Sequence, residues 1–322
     1  MVKEAIKYIR ENYRNRKVEA DPGFGLGQIP TARFMEKDGS THIKRVGLPI
    51  WERIDVFHSL INMSWTKFLS IVVLGYWVVN FLFACIYWFI GMETMAGIDA
   101  ENSHHWFLDA YFFSAQTITT VGYGRISPVG IAANSVAAFE SLLGLLGFAV
   151  FTGLLYGRFA KPNSKLIYSP VALIAPYREI TAFMFQVANP KMNELIEIEA
   201  KLIVSMFDKP KNKRIYVTLT LERDTILFLS INWTIVHPID EESPLVGLTE
   251  ADMPEANPEF MVVIKAFDET RSQHIYWRTS YKHEEIVWGA KFTPFSLQVN
   301  DRGDTLYDIS KLGEYVAAEL PY

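Results

Sequence analysis

Residues 117–126 read TITTVGYGRI, a stretch that is poor in charge and places two glycines around a tyrosine between two apolar segments. Gly122 and Gly124 flank Tyr123, and glycine adopts backbone angles that a β-carbon forbids. Successive carbonyl groups of such a segment can all turn to one side instead of alternating. A row of carbonyl oxygens can replace the hydration shell of a monovalent cation. The segment is therefore a candidate ion-binding element, and an ordinary Gly-Tyr-Gly turn is the alternative.

Two apolar segments flank this element and must position it. Residues 68–90 carry no charge, and about twenty residues at a rise of about 1.5 Å per residue cross the hydrocarbon core of a bilayer. Residues 126–157 form a second candidate span with one charged residue, Glu140. An acid within a span is costly and functional by default. We expect Glu140, ionised or neutral, to lie behind the ion-binding element and to accept hydrogen bonds from neighbours such as Gln116 or Thr117.

Residues 105–118, between the two spans, are apolar and aromatic but too short to cross a bilayer. A re-entrant helix that leads into extended main chain fits this length. Non-helical main chain at membrane depth is tolerated only where it faces protein or a water-filled path. The C-terminal end of the helix adds a partial negative charge that favours a cation. Four TVGYG loops form the known potassium filter, and residues 120–124 match that pattern, which disfavours the simple turn.

The charges around the two spans predict their orientation. Basic residues precede the first span and follow the second, whereas the connecting segment is mainly acidic. The positive-inside rule therefore places both termini in the cytoplasm. The basic residues before the first span are Lys44, Arg45, Arg53 and Lys67, and those after the second span are Arg158, Lys161 and Lys165. The segment between the spans contains the acidic residues Glu93, Asp99, Glu101 and Asp109 and one basic residue, Arg125.

The pattern of the whole chain predicts an α + β membrane protein. An N-terminal cytoplasmic segment (1–49) is followed by an amphipathic interfacial helix (50–66), as its spacing of apolar residues indicates. The two-span domain (67–160) contains the re-entrant helix (105–118). After it, short β-branched and aromatic runs alternate with turn clusters over residues 161–322, which is typical of a β-sandwich.

Composition excludes several classes of function. The net charge of −5 gives no basic footprint for nucleic acid. The chain contains no GxSxG or HExxH motif, so an enzyme is not expected, and no cofactor is implied. Cys85 is the only cysteine, which excludes an intramolecular disulfide and a cysteine-cluster metal site.

Beyond the filter, several stretches resemble the inward-rectifier potassium channel family, most closely its prokaryotic, KirBac-type branch. The resemblance implies a potassium-selective homotetramer in the cell membrane, with K+ as the permeant ion and an immunoglobulin-like cytoplasmic domain. The similar stretches are residues 32–47 (N-terminal strand), 55–65 (slide helix), 139–162 (inner helix), and 230–245 and 280–292 (cytoplasmic domain).

The resemblance also implies roles for individual residues. Phe148 falls at the position that controls rectification, and an aromatic ring cannot attract a polyamine by charge, so weak rectification is expected. Phe148, Thr152 and Tyr156 are expected to line the pore, with Tyr156 as the gate or, alternatively, as an interfacial anchor. Gly144 matches a family glycine and is expected to act as a hinge, with close packing as the alternative. Glu197 matches a glutamate of the cytoplasmic pore, although a solvated strand face is the simpler interpretation.

Filter support and lipid contact complete these expectations. Gln116 stands where many family members place the glutamate of a Glu-Arg brace, so that brace is absent, and Gln116 and Glu140 are expected to support the filter. Arg158, Lys161 and Lys165 follow the second span, at the depth of anionic headgroups. Sensitivity to anionic lipid is expected, and simple anchoring is the alternative. A membrane-anchored β-sandwich that binds a partner without conducting is the rival function, and the filter argues against it.

Overall fold

The computed structural model describes residues 33–41, 47, 49, 55–98, 105–161, 165–191, 195–208, 213–295, 298–303 and 305–321. The chain divides into two compact units, one of residues 45–161 and one of residues 1–44 together with 162–322. They are called the membrane unit and the cytoplasmic unit below. Residues 1–32 of the predicted N-terminal segment and residues 50–54 of the predicted interfacial helix lie outside the described residues.

Four α-helices build the described part of the membrane unit. Two of them are long and apolar enough to cross a membrane, and each contains most of a predicted span. Two-residue strands, β1 (Met95–Ala96) and β2 (Ser127–Pro128), pair antiparallel between the helices. The helices are α1 (Val56–Asn62), α2 (Trp65–Ile90), α3 (Trp106–Ile118) and α4 (Gly130–Ala160).

The interfacial helix is shorter than the predicted 50–66 and ends at Asn62. Its first turn is capped by the side chain of Asp55, which accepts a hydrogen bond of 2.8 Å from His58 N. Met63 is extended, and Ser64 caps the next helix, α2. The sequence therefore contains a start signal for the spanning helix at Ser64, two residues before the predicted end of the interfacial helix at residue 66.

The helices of the membrane unit meet in a small apolar cluster. α3 packs against both α2 and α4, and aromatic contacts such as that of Tyr87 with Phe113, 5.1 Å between ring centroids, fill the junction. The junction holds α3, and the C-terminal end of α3 leads into residues 119–124. The buried members of the cluster are Phe83, Ala84, Tyr87, Met92, Met95, Ala110, Phe113, Ile126 and Ala133.

The cytoplasmic unit is a sandwich of two five-stranded sheets. Its strands are β3 (Ile167–Tyr168), β4 (Ala172–Tyr177), β5 (Ile180–Ala188), β6 (Leu195–Asp208), β7 (Lys213–Leu219), β8 (Thr225–Phe228), β9 (Asn232–Ile239), β10 (Glu259–Asp268), β11 (Gln273–Lys282) and β12 (Ile286–Trp288). In one sheet the order is β11, β10, β6 and β7, with β8 also paired to β6; in the other it is β12, β4, β5 and β3, with β9 paired to β5. β12 and β4 are parallel, and the other pairs are antiparallel.

Alternating residues of these strands form the core. On β11, Ile275 and Trp277 are buried while Tyr276 between them is exposed, as the period of two in a strand requires. Phe183 and Phe260 stack at 4.2 Å between ring centroids and are fully buried. The predicted α + β fold class, with two spans and a C-terminal sandwich, is confirmed. Short elements complete the unit: α5 (Met253–Ala256), β13 (Ala290–Phe292), β14 (Gln298–Val299), β15 (Thr305–Leu306) and β16 (Tyr315–Ala317).

The N-terminal residues 33–41 attach to the sandwich mainly through hydrogen bonds between a side chain and a main-chain group. The main-chain N–H groups of Phe34 and Met35 each donate a 2.9 Å hydrogen bond to the Glu259 carboxylate. Arg33 donates to the Ser280 carbonyl at 2.8 Å, and Met35 is buried. Within residues 33–41 the strand-type pairing recorded is a single bridge between Met35 and Thr41. Hydrogen bonds that involve side chains therefore anchor residues 33–41, and residues 32 and 42–46 of the predicted N-terminal strand lie outside the described residues.

Candidate ion-conduction site

The segment after α3 has the alternating backbone that the two glycines suggested. The φ angle is positive at every second residue, +59° at Thr120, +52° at Gly122 and +80° at Gly124. Alternation between left-handed and right-handed backbone turns successive carbonyls to the same side. A positive φ is rare for a β-branched residue such as threonine and indicates local strain. The sequence indicated a positive φ at the two glycines, but it did not reveal that the same alternation already begins at Thr120.

The start of this segment is fixed to the C-terminal end of α3 by main-chain hydrogen bonds. Val121 N and Gly122 N both donate to the carbonyl of Gln116, at 2.9 and 3.2 Å, and Thr120 N donates to Thr117 O at 3.0 Å. Gln116 thus holds the segment through its main chain. The position of α3 therefore determines the position of the carbonyl row.

Glu140 is fully buried and belongs to a hydrogen-bonded cluster behind this segment. Tyr87 OH donates to Glu140 Oε2 at 2.6 Å, and Ser114 Oγ is hydrogen-bonded to Glu140 Oε1. Ser114 Oγ also lies 3.1 Å from Asn80 Oδ1. These partners differ from the expected Gln116 and Thr117. A buried acid that is hydrogen-bonded on both oxygens avoids much of the penalty of burial.

Sequence patterns did not single out Asn80, Tyr87 and Ser114 as functional residues. A signal for the first two was present, because Asn80 is a polar residue within an otherwise apolar span and Tyr87 follows it seven residues later on the same helical face. A polar group inside a span needs a partner. The pairing of that face with Glu140 required the three-dimensional packing of α2 on α4.

Gly144 lies against the last carbonyl of α3. A β-carbon at this position would lie 1.9 Å from the Ile118 carbonyl oxygen, whereas a β-carbon at Gly147 would meet no atom within 4 Å. α4 continues as a regular helix from Gly130 to Ala160. The geometry therefore supports the close-packing alternative at Gly144, and the hinge stays a prediction.

Phe148, Thr152 and Tyr156 share one side of α4, as their spacing of four residues requires. All three are exposed within the single chain, Phe148 by 70% and Tyr156 by 76%. Thr152 Oγ1 donates to the Phe148 carbonyl at 2.9 Å. The described chain therefore leaves this mainly apolar, uncharged side of the helix uncovered.

The guanidinium of Arg158 points to the C-terminal end of α1. The expected partner was a lipid headgroup, whereas the observed partners are main-chain groups of the same chain. The guanidinium lies 4.4 Å from the ring centroid of Trp65 and 4.5 Å from that of Phe68. Donors at the carbonyl end of a helix are stabilising, since they satisfy its unpaired carbonyls. The acceptors are the main-chain carbonyls of Leu60, Ile61 and Met63.

The other two basic residues have separate surroundings. Lys161 is exposed, and its Nζ donates to Asn62 Oδ1. Lys165 is also exposed and lies in the cytoplasmic unit. Its charge contributes to the lowered pKa of Asp38, which results mainly from the hydrogen bonds of that carboxylate with Ser40.

Glu197 lies at a β-bulge in β6. Ile196 pairs with Phe267 and Glu199 with Lys265, so two residues of β6 oppose one of β10. Glu197 has a positive φ of +51° and an exposed side chain. Because bulges redirect side chains and are retained features of a fold, the exposed carboxylate has a defined direction.

The buried histidine of the cytoplasmic unit has a structural role. His237 Nδ1 donates to the Thr220 carbonyl at 2.6 Å, and Nε2 accepts from Ser243 Oγ at 2.8 Å. Burial lowers the pKa of His237, which favours the neutral imidazole. Within the described ranges no group of three histidine, cysteine or acidic residues could hold a metal ion.

Comparisons with known proteins agree with this architecture. Residues 71–161 match the family model "Ion channel", and residues 166–322 match the model "Inward rectifier potassium channel C-terminal domain". Together the fold and these matches define a two-span ion channel with a cytoplasmic inward-rectifier domain.

Relatives identify the family. The inward rectifier potassium channel Kirbac3.1 of Paramagnetospirillum magnetotacticum is 32% identical over 296 residues, which cover 89% of this chain and 98% of that protein. The G protein-activated inward rectifier potassium channel 4 of Bos taurus is 28% identical over 294 residues, 83% of this chain and 69% of that one. The chain belongs to the inward rectifier potassium channel family, as its sequence led us to expect. The non-conducting alternative is not favoured.

A search of solved structures adds no further argument. A structure of AvmM, which catalyses macrocyclization in alchivemycin A biosynthesis, covers 38% of this chain and 89% of its own, with 10% identity and a TM-score of 0.21. A TM-score this low does not support a shared fold. The family assignment therefore depends on the sequence relatives and on the two matched models.

Proposed function

We propose that residues 120–124 of four identical copies surround a central axis and select K+ through stacked main-chain carbonyl oxygens. One chain supplies only one row of carbonyls, whereas a dehydrated cation needs oxygens on all sides. The observation that carries the proposal is the positive φ at Thr120, Gly122 and Gly124, on a segment anchored to Gln116 O. Tyr123 is 80% exposed in the single chain, which is consistent with a ring that packs against a neighbouring subunit.

The permeation path continues along the uncovered side of α4. Phe148, Thr152 and Tyr156 line it, and Tyr156, nearest the cytoplasmic end, narrows it as the gate. Apolar constrictions close pores by dewetting. No charge on this side attracts a blocking polyamine, so rectification is weak. In the cytoplasmic domain, the carboxylate of Glu197 faces the ion path and concentrates cations.

Anionic lipid acts on the cytoplasmic end of the second span. Lys161 and Lys165 are exposed and available to headgroups at this depth. Arg158 contacts the carbonyl end of α1, so its part in the lipid response is to connect the slide helix with α4. Lipid that binds Lys161, whose Nζ donates to Asn62 Oδ1 at the end of α1, then shifts the position of both helices.

A liposome flux assay tests the filter. Purified protein is reconstituted, and uptake is measured under K+ or Na+ gradients with barium as the blocker. Gly122→Ala introduces a side chain where φ is +52°, a backbone angle that residues with a β-carbon rarely adopt, so K+ selectivity should be lost as the carbonyl row changes its conformation. Gly75→Ala, a helical glycine with nothing within 4 Å, is the control. Equal passage of K+ and Na+ by the wild-type protein would contradict the filter assignment.

A further inference from the structure

We infer that Glu140 and Gly144 form a two-point clamp that positions α3 and, through it, the filter, and that Gly144 is a packing residue of this clamp and not a hinge. The inference rests on the proposed filter. It assigns a positioning role to Tyr87 and Ser114 as well. The observations that carry it are the contacts between α3 and α4.

The two contact points lie on successive turns of both helices. On α4, Glu140 and Gly144 are four residues apart; on α3, their partners Ser114 and Ile118 are also four residues apart. Residues spaced by four lie on one helical face. The first point is the hydrogen bond between Glu140 and Ser114. The second is the backbone contact of Gly144 with the Ile118 carbonyl.

α2 braces the first contact point from behind. Tyr87 OH donates to the second carboxylate oxygen of Glu140 at 2.6 Å. Asn80 Nδ2 donates to the Tyr76 carbonyl at 2.7 Å, which directs Asn80 Oδ1 towards Ser114 at 3.1 Å. Tyr87, Asn80, Ser114 and Glu140 are all fully buried. Satisfied hydrogen bonds in a low-dielectric interior give a rigid and specific arrangement.

The second contact point tolerates no side chain. A β-carbon at Gly144 would lie 1.9 Å from Ile118 O, 2.8 Å from its carbonyl carbon and 3.0 Å from its Cα, all main-chain atoms. Relief of this clash requires a shift of the end of α3 by about 1 Å or more, whereas functional sites keep their geometry within about 0.5 Å.

Such a shift reaches the filter directly. Gln116, which accepts the N–H groups of Val121 and Gly122, lies between the two clamp residues of α3. A displacement of this turn therefore moves the first carbonyls of the row. The clamp consequently affects which ion passes, whereas a hinge would affect only how often the pore is open.

Neighbouring glycines of the same helix separate the two roles. Gly147 and Gly153 have no atom of the same chain within 4 Å of a built β-carbon, so they can loosen α4 but do not contact α3. If helix flexibility were the function, Gly144→Ala and Gly147→Ala would reduce K+ flux alike and leave the ratio of K+ to Na+ flux unchanged. If the clamp is correct, only the change at Gly144 lowers that ratio.

The test measures the ratio of K+ to Na+ uptake by the full-length protein in liposomes. We expect Gly144→Ala and Glu140→Leu to lower the ratio of K+ to Na+ uptake about fivefold or more. A fivefold change corresponds to the loss of about one hydrogen bond or of a contact of equal strength. Gly147→Ala stays within about twofold of the wild type. Glu140→Gln, which keeps hydrogen-bonding groups for Tyr87 and Ser114, restores much of the ratio lost in Glu140→Leu.

A milder variant guards against loss of folding. Ser114→Ala removes the hydroxyl without adding volume, so the elution volume of the assembled protein stays that of the wild type while the ratio falls. An unchanged ratio in both Ser114→Ala and Gly144→Ala overturns the clamp. A wild-type protein that already passes Na+ as well as K+ overturns the proposed filter instead, so the two failures are distinguishable.

Discussion

The cytoplasmic unit completes its core within one copy of the chain, whereas the membrane unit leaves most of its apolar surface uncovered. Phe183, Phe260 and Tyr281 of the sandwich are fully buried. In the 31 residues of α4, by contrast, only Ala133 and Glu140 are buried. A folded monomer rarely exposes so large an apolar surface unless lipid or other subunits cover it. The sandwich is therefore stable by its own packing, and the spanning helices depend on their surroundings.

The two units also differ in what their buried contacts achieve. In the sandwich, apolar side chains between two sheets supply the stability. In the membrane unit, the buried residues concentrate where α2, α3 and α4 meet, and four of them are polar and hydrogen-bonded: Asn80, Tyr87, Ser114 and Glu140. The membrane unit is thus specifically packed behind the carbonyl row and open elsewhere. Substitutions should reveal this division between stability and function.

The largest expected effect on stability is in the core of the sandwich. Phe260→Ala removes a fully buried ring that stacks on Phe183 at 4.2 Å. We expect a loss of about 3–5 kcal/mol in the free energy of unfolding, because the cavity cannot close completely. Chemical unfolding of the full-length protein in detergent, followed by tryptophan fluorescence, measures it. Tyr276→Ala, on the exposed side of β11, is the control and should change stability by less than about 0.5 kcal/mol. Equal losses in both variants would show that the core does not depend on this stack.

A smaller loss is expected where the N-terminal segment joins the sandwich. Glu259→Ala removes the acceptor of two main-chain N–H groups, those of Phe34 and Met35. Unpaired buried donors cost about 1–3 kcal/mol. The cost should appear locally, as faster amide hydrogen exchange in residues 33–41. Glu259→Gln keeps one acceptor oxygen, so its rate of exchange in residues 33–41 should lie between those of the wild type and of Glu259→Ala. Unchanged exchange in Glu259→Ala would mean that other contacts, such as those of Arg33, are sufficient.

The buried imidazole predicts a pH dependence of the sandwich. Burial lowers the pKa of His237 below its unfolded value of about 6.5. The unfolded chain therefore binds the proton more readily than the folded one, so this contribution to stability is complete above about pH 6.5 and decreases as the pH falls below it. The slope reaches at most about 1.4 kcal/mol per pH unit. Melting temperatures of the full-length protein between pH 8 and pH 5 measure this effect.

A variant isolates the contribution of this histidine. His237→Gln lacks the titrating group, so its melting temperature should fall less steeply with decreasing pH than that of the wild type. The chain has seven histidines in total, and the difference between the two proteins removes the contribution that the other six share. Parallel curves would show that the pKa of His237 is the same in the folded and the unfolded chain, which would contradict the prediction.

Sequence patterns predicted the elements of this fold better than their contacts. Uncharged runs of sufficient length and the alternation of β-branched residues depend on local chemistry, so the spans and the sandwich could be predicted. The glycines of the filter segment were informative because only glycine adopts their backbone angles without strain. Nothing in the sequence indicates the positive φ of Thr120, because the surrounding structure imposes this angle on a residue that rarely adopts it.

Roles that depend on packing between distant segments could not be predicted. Glu140 could be recognised as a functional acid, but its partners Tyr87 and Ser114 are 53 and 26 residues away. The direction of Arg158, towards carbonyls almost one hundred residues earlier in the chain, was equally hidden. A basic residue at the end of a span has several possible partners, and only the arrangement of α1 beside α4 decides among them.

The smallest expected effect on stability lies on the open side of α4 and tests the comparison from its other end. Tyr156 is 76% exposed in the single chain, so Tyr156→Ala should change the free energy of unfolding by less than about 0.5 kcal/mol. If its ring narrows the pore, the same change should raise basal K+ flux in liposomes, because a smaller side chain widens the apolar constriction and favours its hydration. Val150→Ala, at a residue 63% exposed on the same helix, is the control and should leave both the stability and the basal flux near those of the wild type. Unchanged flux with a clear loss of stability would instead make Tyr156 a structural anchor, and the uncovered side of α4 would then contribute to stability as the sandwich core does.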